Sequence, residues 1–75
     1  MLINTRVRRR EDLHLINGYN ALIERIEKQL DGIGRVFVRF SGTESVVRVL
    51  VEGPDRALIG KYAEEIATFL EEKLA

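Results

Sequence analysis

Arg39, Ser41, Gly42, Thr43 and Arg48 stand close together in the middle of the chain. These residue types bind anions. A guanidinium is a planar fork that meets phosphate oxygens two at a time. Ser and Thr hydroxyls add donors. A glycine lets the backbone bend sharply and approach a ligand closely, and successive backbone N–H groups can form a concave nest for negative charge. The competing reading is that Ser-Gly-Thr is ordinary turn chemistry. Arg39 and Arg48 would then be solvated and balanced by Glu44 or Glu52.

The elements that carry these residues are legible from periodicity. Residues 35–40 alternate, with Val36, Val38 and Phe40 against Arg35, Phe37 and Arg39. Residues 46–52 do likewise, with Val47, Val49 and Val51 on one side. Such alternation predicts two half-buried strands, and the polar stretch Ser41–Ser45 between them predicts a hairpin loop. If both valine faces point to one core, Phe40 pairs with Val47, Val38 with Val49 and Val36 with Val51. The same register sets Arg39 directly opposite Arg48 on the other face, at the foot of the loop. Like charges directly opposite each other destabilise a sheet. A one-residue slip would expose the valines, so the register is not easily relieved. An anion between the two guanidiniums converts repulsion into attraction.

The remaining elements flank this hairpin. Residues 2–8 alternate, with Ile3, Thr5 and Val7 on one face and Asn4, Arg6 and Arg8 on the other, which predicts a strand. Residues 12–31 take helical spacing through Leu15 or Ile16, Tyr19, Leu22 or Ile23, Ile26 and Leu30, with Asp12 as N-cap and Gly32 past the end. Gly18 weakens the first half of that helix by about 1 kcal/mol relative to Ala. Gly53-Pro54-Asp55 stops the last strand and starts a second helix, with Leu58, Tyr62, Ile66, Phe69 or Leu70, and Leu74 on its apolar stripe. The order β-α-β-β-α predicts an α+β two-layer sandwich, with two helices on one face of a small, mainly antiparallel sheet. The other face is left open.

Composition limits what the chain can do. Its 75 residues make one small domain or a piece of a larger protein. Such a length supports one core, but not a core plus a deep enclosed active site. There is no Cys and one His, which excludes disulfide scaffolds and thiolate zinc sites. No apolar run approaches the roughly 20 residues of a membrane helix. The beginning reads as a strand and not as a signal peptide. Twelve basic and twelve acidic residues cancel, so no global field gathers nucleic acid or anionic membrane, and anion recognition must be local.

The stretch Gly34-Arg35-Val36-Phe37-Val38-Arg39-Phe40-Ser41-Gly42-Thr43-Glu44, followed by Val47-Arg48-Val49-Leu50-Val51-Glu52-Gly53, closely resembles the C-terminal domain of bacterial phosphoglucosamine mutases. These belong to the α-D-phosphohexomutase superfamily. Their phosphate loop reads R-x-S-G-T-E-P, then x-x-R-V-M-V-E-G. The segment from Ile3-Asn4 to Arg10-Glu11-Asp12-Leu13 also resembles the start of that domain, so the likeness covers nearly the whole chain. Two positions depart: Ser45 stands for the family's proline and Leu50 for its methionine. Leu for Met conserves volume. Serine for proline leaves the loop exit less constrained, which predicts weaker phosphate binding.

The resemblance implies a TATA-box-binding-protein-like fold and a role as fourth domain of a cytoplasmic enzyme. Such enzymes interconvert glucosamine 6-phosphate and glucosamine 1-phosphate on the route to UDP-N-acetylglucosamine and peptidoglycan. A phosphoserine and Mg2+ in other domains do the chemistry, and the fourth domain holds the phosphate that is not reacting. The implied partners are a phosphosugar and the other three domains, without nucleic acid or membrane. By this likeness Arg39, Ser41, Gly42 and Thr43 bind phosphate, and the strand register adds Arg48. Glu44 orients an arginine or the loop, because a carboxylate would repel the anion. The chain carries neither the serine loop nor the metal ligands of the family, which predicts an isolated domain that binds phosphate but does not turn over.

Other features read more plainly. Arg8-Arg9-Arg10 is a solvated turn before Glu11-Asp12, His14 is structural or exposed, and Tyr19, Tyr62 and Phe69 belong to the core. Phe37 faces outward beside Arg39. Two functions of other classes compete: a stand-alone nucleic-acid-binding module and a protein-interaction module using the open sheet face. RNA-binding sheets stack bases on two or three aromatics. Here Phe37 is the one clear candidate, and net charge is zero.

Overall fold

β-Branched residues at every second position favour a pleated, half-buried backbone, and three such segments pair. A computed structural model describes residues 1–75. Its elements are β1 (Leu2–Arg6), α1 (Tyr19–Leu30), β2 (Arg35–Phe40), β3 (Val46–Glu52) and α2 (Arg56–Lys73), with a short 3-10 turn at Leu13–Leu15. The sheet order is β1-β3-β2, and β3 is antiparallel to both neighbours. β1 and β2 therefore run parallel, and the last strand in sequence lies between them. The expected α+β sandwich, with both helices on one sheet face, is what forms.

The hairpin register is the one required by the valine faces. Phe40 pairs with Val47, Val38 with Val49 and Val36 with Val51, and Arg39 faces Arg48. β1 extends the core rows, with Ile3 opposite Val49 and Thr5 opposite Val47. Val47, Val49 and Val51 have no exposed surface, nor do Ile26, Ile66 and Leu70 from the helices beneath and Leu74 just past the end of α2. Thr5 is the one buried polar residue, and its hydroxyl donates to the Glu71 carboxylate.

The expected helix over residues 12–31 is broken. Asp12 does cap, but it caps the 3-10 turn, accepting from the His14 N–H at 3.0 Å. Ile16 then becomes extended, and Gly18 starts α1 at φ 89°. Helical spacing across 13–30 does not distinguish one helix from a turn plus a helix, because Ile16 and Tyr19 reach the core either way. Leu15 is left 76% exposed. The far end conforms better: Asp31 and Gly32 both take positive φ, and the Asp31 N–H bonds back to Glu27 and Lys28 carbonyls. Asp55 caps α2 through the Leu58 N–H at 3.1 Å. The buried face of α2 is set by Ile59, Tyr62, Ala63, Ile66, Ala67 and Leu70, while Leu58 and Phe69 are only partly covered. The alanines let the helix lie close to the sheet.

Candidate functional site

The face of the sheet turned away from the helices carries the candidate residues. One row across it reads Asn4, Arg48, Arg39, and the adjoining row nearer the loop begins Arg6, Val46. The Ser41 N–H donates to the Val46 carbonyl at 2.9 Å, which makes that pair hydrogen-bonded. By alternation Arg39 and Arg48 form the same kind of pair, with Cα atoms about 5.5 Å apart. Their guanidiniums leave the same face, side by side.

The carboxylates that would balance Arg39 and Arg48 in the competing reading form no ion pair with them. The ion pairs within 4.0 Å are Arg9–Glu11 and Arg25–Glu65, both away from this face. Arg6, Arg39 and Arg48 have no carboxylate partner. Three unpaired guanidiniums on one open face make a local field in a chain of zero net charge. Glu52 is opposite Arg35 instead.

A shallow cavity of about 620 Å³ opens beside the loop, lined by Asn4, Arg6, Ser41, Gly42, Thr43, Glu44, Val46 and Arg48. Arg39 lies outside it. Arg39 lines a neighbouring cavity of about 400 Å³ with Leu2, Phe37, Leu50 and Arg48. Arg48 thus borders both, with the loop on one side and an apolar strip on the other. Phe37, 50% exposed, faces outward as its alternation requires.

Gly42 is not demanded by the backbone. Its φ is not positive, and a Cβ there would meet nothing within 4 Å. The sharp bend is made without left-handed backbone at this position, so what Gly42 contributes is open space and an accessible N–H. The Ser41 hydroxyl donates to the Glu44 carbonyl at 3.3 Å, closing the loop on itself. Glu44 takes part through this carbonyl, and its carboxylate forms no ion pair.

Two residues belong to this site that sequence reasoning did not assign. Arg6 was placed on the outward face of its strand, but nothing in the sequence says that β1 lies beside β3 and brings Arg6 to the loop. Arg10 falls, by its sequence context, in a solvated turn. Its Nη1 donates to the Ser41 and Glu44 carbonyls, each at 2.7 Å, and its guanidinium lies 4.9 Å from the centre of the Phe40 ring. No group of three or more His, Asp or Glu stands where it could hold a metal.

Residues 2–69 match the family described as phosphoglucomutase/phosphomannomutase, C-terminal domain. The chain is similar over its whole length to a phosphoglucosamine mutase of Bdellovibrio bacteriovorus, at 61% identity, and covers 16% of that protein. It is 44% identical over 75 residues to that of Methylobacillus flagellatus and 42% identical over 73 residues to that of Lactobacillus johnsonii, covering 17% and 16% of them. It therefore spans about one sixth of the length of these relatives. By this match and these relatives, the chain belongs to the family of phosphoglucomutase/phosphomannomutase C-terminal domains.

Proposed function

We propose that this chain is the phosphate-holding fourth domain of a phosphoglucosamine mutase, and that it grips the phosphate of the sugar that is not reacting. One observation carries the reading: Arg6, Arg39 and Arg48 share an open face without carboxylate partners, beside a Ser41-Gly42-Thr43 loop. Arg48 and Arg39 supply charge and forked donors, Ser41 and Thr43 supply hydroxyls, and Gly42 supplies an unobstructed N–H. A site of this composition reads phosphate and not sugar, so it accepts a substrate in either orientation. Binding energy from the held phosphate then positions the reacting end.

In this reading the phosphoserine and Mg2+ belong to other domains of a cytoplasmic parent, and the chain alone does not interconvert sugar phosphates. The apolar row Leu2, Leu50 and Phe37 beside the arginines supports contact with those domains. Base stacking is less well served, because Phe37 is the one aromatic on that face.

An NMR titration of the chain with glucosamine 6-phosphate tests the reading. Shifts centred on Arg39 to Thr43 and on Arg48 are expected, with affinity on the order of millimolar, about −4 kcal/mol. Inorganic phosphate should reproduce the shifts, because the sugar is not read. Shifts confined to Arg8–Arg10 and Phe37 with single-stranded RNA, and none with phosphate, would falsify it.

A further inference from the structure

We infer that Arg10 is a positioning residue for the loop, a clamp that holds Ser41–Glu44 ready for an anion from behind. The inference rests on the phosphate reading above and adds to it a residue outside the loop motif. One nitrogen of Arg10, Nη1, carries two N–H groups and bonds the carbonyls at both ends of the four-residue segment, Ser41 and Glu44, at 2.7 Å each. The guanidinium is braced on the Phe40 ring at 4.9 Å. Phe40 belongs to the core-facing set of its strand, and Arg10 is not among the residues lining the loop cavity. Arg10 therefore grips the loop from the side opposite Arg48 and acts through it.

The hydroxyl chemistry requires such a clamp. The Ser41 hydroxyl donates to the Glu44 carbonyl. To donate to a phosphate oxygen, it must leave that carbonyl. Arg10 stays bonded to the same carbonyl and keeps it satisfied, so the serine can turn without the loop opening. The clamp also answers the departure at Ser45. A proline there would limit the loop exit covalently. The Ser45 N–H takes part in no backbone hydrogen bond, while its carbonyl accepts from Val7 at 2.9 Å. A proline at this position would forfeit no backbone hydrogen bond, and it would restrict the same segment that Arg10 restrains.

The test uses the 75-residue chain with Arg10→Ala, Ser45→Pro and the double variant, read in two ways. Without ligand, heteronuclear NOE and amide exchange should show Gly42, Thr43 and Glu44 loosened in Arg10→Ala, with Val47 and Val49 unchanged as the control for folding. With inorganic phosphate, Arg10→Ala should bind about tenfold more weakly, the scale of one charge-assisted hydrogen bond. Ser45→Pro should tighten binding slightly in the parent and by about tenfold in the Arg10→Ala background, a non-additivity expected of two restraints on one loop. Unchanged loop order in Arg10→Ala overturns the inference. So does a double variant whose loop is ordered again but whose affinity stays low. A parent that binds no phosphate would refute the proposed function instead, and the ligand-free loop order would still decide whether Arg10 clamps.

Discussion

Arg39 and Arg48 are directly opposed, and in the proposed reading a phosphate between them removes the repulsion. Directly opposed like charges on a sheet destabilise by a few tenths of a kcal/mol up to about 1 kcal/mol. Both groups are exposed, and salt screens part of this. Arg48→Thr should therefore raise the stability of the ligand-free chain by about 0.5 kcal/mol at low ionic strength, while weakening phosphate binding at least about tenfold. Urea unfolding in low and high salt, with and without phosphate, checks both halves. The parent should gain more stability than the variant on adding the same concentration of phosphate. A variant that is less stable than the parent at low salt would show that the two guanidiniums do not repel.

The hairpin is the most strongly specified element, because its register is held by three valine pairings and by the coverage of β3 on both sides. The helical segment before it is the least regular. Gly18 takes φ 89° at the start of α1, and a Cβ there would approach the Phe69 ring at 3.5 Å. That contact is ordinary, so the obstacle to a side chain is the left-handed backbone and not space. Gly18→Ala should cost about 1–2 kcal/mol, measured by denaturant midpoint at unchanged slope. It should leave phosphate affinity intact, since α1 lies on the far side of the sheet. An alanine variant as stable as the parent would mean that the segment regularises into the continuous helix that its spacing allows.

For the molecule as a whole, one buried ionisable group ties stability to pH. The Tyr19 phenol is raised above the usual tyrosine value of about 10, mainly by burial and then by the nearby Glu27 carboxylate. A folded-state value above the unfolded one means that the folded chain holds its proton longer. This contribution is complete below pH of about 10 and is lost as pH rises through the folded value. Tyr19→Phe should abolish that part of the alkaline loss in a urea-midpoint series from neutral to strongly alkaline pH. A fall of equal depth in the variant would place the cause elsewhere.

Fold class, hairpin register and the opposed arginines are all legible in the residue pattern. Period-2 alternation of valines is a local signal, and a single shared core leaves it one solution. The loop motif is legible too, through residue types whose chemistry does not depend on context. Where α1 begins is not, because a 3-10 turn and a helix place Ile16 and Tyr19 in the core alike. That β1 lies against β3 and not beside β2 emerges from the folded sheet alone. That pairing brings Arg6 to the loop cavity, and the chain leaving the same strand carries Arg10 behind the loop. Contacts between residues 31 and 34 positions apart leave no periodic trace. They follow from which strand edge is left free to pair, which is settled when the whole core closes.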